Sequence, residues 1–218
     1  MSERLSIVVL AAGKGTRMRN GRAKVLHPLA GWPLIRHVLA TALALRAEPL
    51  VVVLAPGMDE VAGVVRGVAP AARIAIQDPP LGTGHAVAAA RPVLPEEGVV
   101  LVLYGDTPLL RPATLEALLA ARSRAGAAVA VLGFRPPDPA GYGRLRLEGG
   151  ALVELVEERD ADPALRAQGL CNSGVMAFDA GRLGALLEAL PLRPEKGEYY
   201  LTDAVAIAAG RGWTCTAV

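Results

Sequence analysis

The sequence predicts an α/β fold in which a mostly parallel sheet is flanked by helices. Short apolar runs, typical of strands buried on both faces, alternate with longer segments of helical periodicity. The first run, 7–10, also leads directly into a turn of small residues at 11–17. Such a turn after a buried strand is typical of parallel sheets that bind a ligand beyond the carboxyl ends of their strands.

Composition narrows the class of protein. A chain of 218 residues is long enough for one α/β domain, and 52% apolar with 20% charged residues indicates a globular chain. The net charge of +2 and the dispersed basic residues favour neither nucleic acid nor a membrane surface as a partner. No apolar run approaches the roughly 18 residues of a spanning helix, and two cysteines make no disulfide framework, so we expect a cytoplasmic protein.

Strand and helix patterns alternate over the first 132 residues, which implies parallel strands joined by right-handed crossovers. Predicted strands lie at 7–10, 50–54, 72–76, 99–103 and 127–132, and predicted helices at 33–47, 59–68, 82–91 and 112–124. The most apolar of these strands is 99–103, which we therefore place at the centre of the sheet.

The pattern changes after residue 136. Two short alternating segments predict a small antiparallel lid within an insertion of about 136–170, after which a strand returns. The predicted elements are strands at 144–147, 152–156, 171–178 and from 212, with helices at 181–190 and 199–209. We expect residues 1–218 to form a single Rossmann-like domain.

The first turn suits a phosphate-bearing ligand. Gly13 and Gly15 permit positive φ, and Lys14 and Arg17 supply positive charge. Exposed N–H groups beside cations can cradle a polyphosphate, although a plain strand-to-helix turn is the structural alternative. The turn is neither a Walker A loop nor the dinucleotide fingerprint, because neither glycine spacing is present.

Four clusters of informative residues are expected at one edge of the sheet, because each is placed at the carboxyl end of a predicted strand or just past it. These clusters are 10–17, Gln77 with Gly82 and Thr83, 104–106, and the region of Asn172. Their convergence predicts a single ligand-binding site.

A family resemblance rests on eight motifs in order: LAAGKGTRM, KVLHPLAG, QDPPLGTGHA, YGDTPLL, GYGR, VEERDA, CNSG and EYYLTD. Over nearly the whole chain they resemble the uridylyltransferase domain of the bacterial bifunctional UDP-N-acetylglucosamine pyrophosphorylase / glucosamine-1-phosphate acetyltransferase family. That family belongs to the sugar-phosphate nucleotidyltransferases, whose fold is glycosyltransferase-A-like. The first motif and the Gly-Asp pair are common to such enzymes, whereas the Gln77, GYGR and Asn172 blocks narrow the choice to the N-acetylglucosamine branch.

The resemblance implies that the partners are UTP and N-acetylglucosamine 1-phosphate, which give UDP-N-acetylglucosamine and pyrophosphate by in-line attack on the α-phosphorus. The nucleophile is already an anion, so the chemical problem is electrostatic. Asp106 is the implied Mg²⁺ ligand, and a capping aspartate is the structural alternative. Arg17 and Lys24 are the implied cations for the β- and γ-phosphates, and either could instead be a solvated surface residue.

The resemblance also assigns the substrate-binding residues. It implies nucleotide contacts at Leu10, Ala11, Ala12, Gly13, Gln77, Gly82 and Thr83, and further contacts at Tyr104, Gly105, Gly141, Glu157 and Asn172. An amide such as Gln77 offers both a donor and an acceptor, as a pyrimidine imide edge requires. The alignment favours Glu157 over Glu158, and His85 is interpreted as a structural or capping histidine.

Two features depart from the family. Nothing after Asp203 matches the asparagine that is the family's second Mg²⁺ ligand, and the given sequence shows no hexapeptide repeats, so we expect no acetyltransferase β-helix within these 218 residues. The chain is therefore expected to be either a truncated piece or a stand-alone relative, and assembly into a homo-oligomer stays open. The alternative functions are another thymidylyl- or uridylyltransferase, a molybdenum-cofactor nucleotidyltransferase, or a non-catalytic nucleotide-sensing module.

Overall fold

The computed structural model describes residues 3–13 and 22–218. Within these ranges the strands are β1 (Leu5–Leu10), β2 (Pro28–Leu29), β3 (Trp32–Pro33), β4 (Leu50–Leu54), β5 (Arg73–Ile76), β6 (Val99–Tyr104), β7 (Val129–Phe134), β8 (Arg144–Glu148), β9 (Ala151–Val156), β10 (Cys171–Asp179), β11 (Leu192–Arg193), β12 (Glu198–Tyr199) and β13 (Cys215–Ala217). The helices are α1 (Leu34–Ala44), α2 (Asp59–Val68), α3 (Gly82–Ala90), α4 (Pro112–Ala125), α5 (Pro163–Ala167), α6 (Ala180–Glu188) and α7 (Asp203–Gly210).

One large mixed sheet organises the described residues. Its main path runs β13-β7-β10-β6-β1-β4-β5, with the β8–β9 hairpin attached to β10. The strands β6, β1, β4 and β5 pair in parallel, and β13 pairs in parallel with β7, whereas β10 runs antiparallel to both β6 and β7. The predicted α/β fold is therefore confirmed, and β6 lies at the centre of the sheet as expected.

The unbroken apolar runs have a simple cause, which is that helices cover both faces of the sheet. Val8 and Leu10 of β1 face a core that includes residues of α3, α6 and α7. Ile7 and Val9 face the other core, which includes residues of α1, α2 and α4. Since neighbouring residues of a strand point to opposite faces, both positions must be apolar.

The predicted lid is a continuation of the central sheet. Strands β8 and β9 are antiparallel, and Arg144 of β8 pairs with Cys171 of β10. Arg144 is only 2% exposed, donates to the carbonyl oxygen of Tyr142 and lies 3.6 Å from a carboxylate oxygen of Glu158. Because β9 also packs against α7, the β8–β9 hairpin is attached to the body of the domain through β9 as well as through β10.

One predicted helix begins too early. Residues 199–209 were expected to be helical, but Glu198 and Tyr199 form β12, and α7 begins at Asp203. The backbone N–H of Tyr199 donates to the carbonyl oxygen of Leu81 at 2.8 Å, which holds this segment extended beside the start of α3.

No helix within the described ranges has both the length and the apolarity that crossing a bilayer requires.

Candidate active site

Backbone hydrogen bonds bring the predicted strand ends to one edge of the sheet. Leu10 lies opposite Tyr104, and the N–H of Gly105 donates to the carbonyl oxygen of Leu10 at 2.9 Å. The N–H of Ala11 donates to Val53 at 2.9 Å, and that of Gln77 donates to Leu54 at 2.8 Å. The sheet ladder thus continues for one residue past these strands, which fixes the backbone at the edge.

Two adjoining clefts open along this edge. The first, which we call the parallel-side cleft, has a volume of about 310 Å³ and lies at the ends of β1, β5 and β6. It brings together the following predicted site residues: Leu10, Ala11, Ala12, Gly13, Lys24, Gln77, Gly82, Thr83, Tyr104 and Asp106. The predicted phosphate-binding Arg17, with Lys14 beside it, lies outside the described residues.

The second opening, the hairpin-side cleft, has a volume of about 1040 Å³ and lies beside β7, β10 and the turn after β9. Glu157 and Asn172, both predicted to contact the sugar, line it. Tyr104, Thr83 and Tyr200 line both clefts, so the two openings share a wall.

Asp106 lines the parallel-side cleft, one residue before Thr107, which lines the hairpin-side cleft. It lies in the turn that follows β6, which is closed by a hydrogen bond of 2.8 Å from the hydroxyl of Thr107 to the carbonyl oxygen of Tyr104. Its carboxylate lies 2.5 Å from the ammonium group of Lys24, with side chains 25% and 50% exposed. The carboxylate of Asp106 is accessible to solvent and attracts the ammonium group of Lys24, so its negative charge can also attract another cation.

The donor set at this point fits one kind of metal ion. Within residues 3–13 and 22–218, no group of three or more His, Cys, Asp or Glu side chains is arranged to hold a metal. A protein-enclosed zinc site is therefore a poor match for these residues. A single carboxylate in an open cleft suits a hard divalent cation that keeps several of its waters.

The ring of Tyr104 forms the wall between the clefts. Burial raises the pKa of Tyr104 to about 12, the nearby charge of Asp106 adds to this rise, and a hydrogen bond with Thr83 opposes it. Its hydroxyl group therefore stays protonated at neutral pH. The ring lies against Gly174, where a Cβ would come within 2.8 Å of the ring carbon Cε2, and Gly174 has φ of +86°. Only glycine fits here without strain.

Asn172 reaches the edge by a different route from the one predicted. It does not follow a strand but lies at the beginning of β10. Since β10 is antiparallel to β6 and β7, its start lies at the edge where those strands end. The side-chain oxygen of Asn172 accepts from the N–H of Gly174 at 2.8 Å, so its NH₂ group remains for a ligand.

The two adjacent glutamates after β9 have different surroundings. Glu158 accepts from the N–H of Gly141 at 2.7 Å and faces the buried guanidinium of Arg144. Glu157 instead lines the hairpin-side cleft. Gly141 lies in the turn beside Tyr142, which lines that cleft.

Gly105 packs beneath the edge, where a Cβ would lie 3.1 Å from Val25.

Gln77 presents less than the sequence suggested. Its side-chain nitrogen Nε2 lies 2.9 Å from the carbonyl oxygen of Gly82 and 3.4 Å from Nδ1 of His85. The donor half of the amide is therefore used inside the protein. What remains for a ligand is the carbonyl oxygen alone, and not the donor and acceptor together.

Sequence reasoning missed Glu198 and Tyr200 as part of the wall. Both line the parallel-side cleft, and Tyr200 also lines the other one. The segment is tied to α3 because the N–H of Leu201 donates to the hydroxyl oxygen of Thr83 at 3.0 Å. Glycine at position 82 allows this close approach, because its φ is +90° and a Cβ there would come within 2.7 Å of the carbonyl oxygen of Tyr199.

A mixed sheet flanked by helices, whose edge carries a small-residue turn, a lysine and a single carboxylate beside two clefts that share a wall, defines a nucleotidyltransferase domain. The family model described as the MobA-like NTP transferase domain matches residues 7–172, more than half of the chain. The chain belongs to this family.

Curated relatives support the motif-based resemblance. The bifunctional protein GlmU of Paramagnetospirillum magneticum is 51% identical over 100% of this chain and 48% of its own length. The bifunctional protein GlmU of Azorhizobium caulinodans is 52% identical over 100% of this chain and 49% of its own length. The chain therefore spans about half the length of these relatives.

Solved structures support the fold. The inositol-1-phosphate CTP transferase from T. maritima has a TM-score of 0.78 at 17% identity, covering 99% of this chain and 85% of its own. A UDP-glucose pyrophosphorylase complexed with UDP-glucose has a TM-score of 0.75 at 18% identity, and the match covers 100% of this chain and 90% of that protein's chain. At these identities the likeness shows the shared architecture.

Proposed function

We propose that this domain transfers UMP from UTP to N-acetylglucosamine 1-phosphate, which yields UDP-N-acetylglucosamine and pyrophosphate. One observation carries the proposal: Asp106 and Lys24 form a charged pair in the parallel-side cleft, next to the Tyr104 wall that this cleft shares with the hairpin-side cleft. One cleft suits a nucleoside triphosphate and the other, larger cleft suits a sugar phosphate. The choice of UTP and N-acetylglucosamine follows from the motifs shared with the uridylyltransferase family and from the relatives named bifunctional protein GlmU.

The proposed reaction needs no general acid or general base from the protein. The attacking phosphate oxygen of the sugar phosphate is already an anion, so the protein must overcome repulsion between two polyanions and stabilise a negative leaving group. The backbone of Ala11, Ala12 and Gly13 carries small side chains or none, so it can approach the nucleotide closely. The protonated hydroxyl of Tyr104 adds a hydrogen-bond donor at the wall between the reactants without adding a negative charge.

Asp106 and Lys24 divide the electrostatic work. Asp106 would hold Mg²⁺, which would supply positive charge to offset the repulsion between the two phosphate-bearing reactants. Lys24 would then leave the carboxylate and contact the phosphates of the nucleotide, together with Arg17, and both cations would stabilise the departing pyrophosphate. Glu157 and the free NH₂ group of Asn172 would bind the sugar from the hairpin-side cleft.

The site of action follows from the substrates. A reaction that consumes UTP and a sugar phosphate belongs in the cytoplasm, where nucleoside triphosphates are maintained. Cys171 and Cys215 are both free and buried, which is compatible with a reducing compartment.

The test is a grid of pyrophosphate-release assays. UTP, dTTP, CTP and GTP are each combined with N-acetylglucosamine 1-phosphate, glucosamine 1-phosphate and glucose 1-phosphate, with Mg²⁺ or with a chelator. We expect the highest kcat/KM for UTP with N-acetylglucosamine 1-phosphate and no turnover with the chelator. Preference for another pair would overturn the substrate assignment. Binding of UTP without pyrophosphate release from any pair would instead favour a nucleotide-sensing module.

A further inference from the structure

We propose that His85 is a positioning residue that fixes the side-chain amide of Gln77 with its carbonyl oxygen toward the base, and thereby selects uracil over cytosine. The inference rests on the proposed function, because it concerns which nucleotide the parallel-side cleft accepts. It assigns a role to a histidine that the sequence pattern alone left as a structural or capping residue.

The orientation of the Gln77 amide is determined by its neighbours. Gln77 is 4% exposed and follows β5 at the edge of the sheet. The amide atom that lies 2.9 Å from the carbonyl oxygen of Gly82 must be the NH₂ nitrogen, because a carbonyl oxygen only accepts hydrogen bonds. A flipped amide would place two oxygens against each other.

His85 takes the second hydrogen of the same NH₂ group. Its Nδ1 atom lies 3.4 Å from Nε2 of Gln77, and it accepts this hydrogen bond when the ring proton is on its own Nε2 atom. His85 lies one turn along α3 from Gly82, so a single helix supplies both acceptors. Without His85, one hydrogen bond would remain to hold the amide.

This arrangement leaves the carbonyl oxygen Oε1 as the recognition atom. Within the part of the chain that the structure describes, Oε1 has no hydrogen-bond partner, and it is not among the polar atoms sealed from solvent. Gln77 lines the parallel-side cleft, so its accessible part lies there. The first N–H groups of α3, from Gly82 onward, lie beside it and have no partners within the helix.

An acceptor beside donors matches one kind of base edge. Uracil presents the N3–H donor between two carbonyl oxygens, so N3–H can donate to Oε1 while a carbonyl accepts from the start of α3. Cytosine presents an unprotonated N3 beside an amino group, which would place acceptor against acceptor and donor against donor. A fixed Oε1 thus discriminates against cytosine, whereas an amide free to turn would accommodate it.

The experiment measures binding of UTP and CTP to the intact chain by calorimetry, in buffer with Mg²⁺ and without sugar phosphate. His85→Phe keeps a ring but removes the acceptor, whereas His85→Asn places an oxygen where Nδ1 lies. We expect His85→Phe to reduce the ratio of the CTP and UTP dissociation constants by about tenfold, the effect of one hydrogen bond. His85→Asn should keep the ratio within about twofold of the wild type.

The control and the contrary outcomes separate this inference from the proposed function. His37→Phe is the matched control, because His37 lies on α1, where its ring contacts the carbonyl oxygen of Leu29 away from the clefts. If His85→Phe lowers the melting temperature or weakens both nucleotides equally, with the ratio unchanged, His85 is merely structural and the inference is wrong. If the wild-type chain does not bind UTP, the proposed function falls first and the inference with it.

Discussion

The two clefts lie on opposite halves of one sheet, and their predicted ligand contacts come from different parts of the chain: backbone groups in one and side chains in the other. On the parallel side, the strands β1, β5 and β6 end at the edge, and the ladder that joins them fixes the backbone of Ala11 and Gln77. On the hairpin side, β10 begins at the edge, and the predicted contacts are the side chains of Glu157 and Asn172. The predicted contacts of the first cleft are therefore largely backbone groups, and those of the second are side chains.

The difference has a consequence for specificity. A backbone surface that continues a sheet ladder changes little when single side chains are replaced, so its selectivity depends on a few buried groups such as Gln77. A side-chain surface can be altered one residue at a time. We therefore expect substitutions on the hairpin side to affect the sugar phosphate alone, and substitutions at the shared wall to affect both reactants.

The largest effect is expected at Asp106, which lines the parallel-side cleft and which we propose acts on both reactants. Asp106→Asn keeps the shape of the side chain but removes its charge, so it should lower kcat by roughly 100-fold or more, the cost of one preorganised electrostatic stabiliser. The measurement is pyrophosphate release with both substrates saturating. Glu116→Gln, an exposed residue of α4, is the charge-matched control and should stay within about twofold of the wild type. A defect confined to the KM of one substrate would assign Asp106 to one cleft only.

The adjacent glutamates give the second test, because only one of them lines a cleft. Glu157→Gln should raise the KM for the sugar phosphate about tenfold, the loss of one charge-assisted hydrogen bond, and leave the KM for UTP unchanged. Glu158→Gln should instead lower the free energy of unfolding by about 1–3 kcal/mol, because it removes the charge that faces the buried Arg144. Steady-state kinetics and urea denaturation of both variants check this.

A reversed result, with the KM effect in Glu158→Gln and the stability effect in Glu157→Gln, would show that the motif alignment is displaced by one residue. It would also move the sugar contact to the base of the hairpin, next to Gly141.

The third test concerns the shared wall and uses two glycines with the same backbone angle. Gly174 and Gly150 have φ of +86° and +85°, so alanine should strain both by about 1–3 kcal/mol. At Gly174 the new Cβ also meets the ring of Tyr104, whereas at Gly150 nothing lies within 4 Å. Gly174→Ala should therefore raise both KM values by about threefold or more, a cost within the range of overpacking.

Gly150→Ala should lose stability without any kinetic effect, which thermal denaturation and kinetics will show together. An equal kinetic effect in the two variants would mean that backbone strain, and not displacement of Tyr104, reaches the clefts.

The comparison of the two halves also explains what could be predicted from the sequence. On the parallel side, a strand is followed directly by its functional residues, so the order of the chain already placed Ala11, Gln77 and Asp106 at one edge. The same rule placed Asn172 at this edge for the wrong reason, because strand direction depends on pairing with distant strands. Nothing local in the sequence marks β10 as antiparallel.

Side-chain partners were likewise beyond the sequence. The donor half of the Gln77 amide is used by Gly82 and His85, and this depends on how α3 packs against the end of β5. The extended segment at Tyr199 resembles the start of a helix by spacing alone, and a tertiary hydrogen bond to Leu81 overrides that pattern. Strand and helix positions could be predicted because they follow from hydrophobic periodicity, whereas these contacts follow from the assembled sheet.

The smallest effect concerns the hydroxyl group of Tyr104 at the wall between the halves. Because burial raises its pKa to about 12, the folded chain keeps this proton while a tyrosine of the unfolded chain loses it near its ordinary pKa of 10.0. The unfolded state then binds fewer protons, so the free energy of unfolding should fall as the pH rises above about 10. Tyr104→Phe keeps the ring that divides the clefts but removes the hydroxyl group. The free energy of unfolding of this variant should therefore fall less steeply with pH than that of the wild type.

Urea denaturation of both proteins from pH 8 to about pH 10.5, where a tyrosine of the unfolded chain ionises, measures the difference. Burial also raises the pKa of the Cys215 thiol to about 11, which adds an alkaline loss of stability to both proteins and cancels in the comparison. Curves that stay parallel throughout would mean that the Tyr104 hydroxyl is hydrated. In that case burial would not hold the Tyr104 proton, and the wall between the two clefts would be open to solvent.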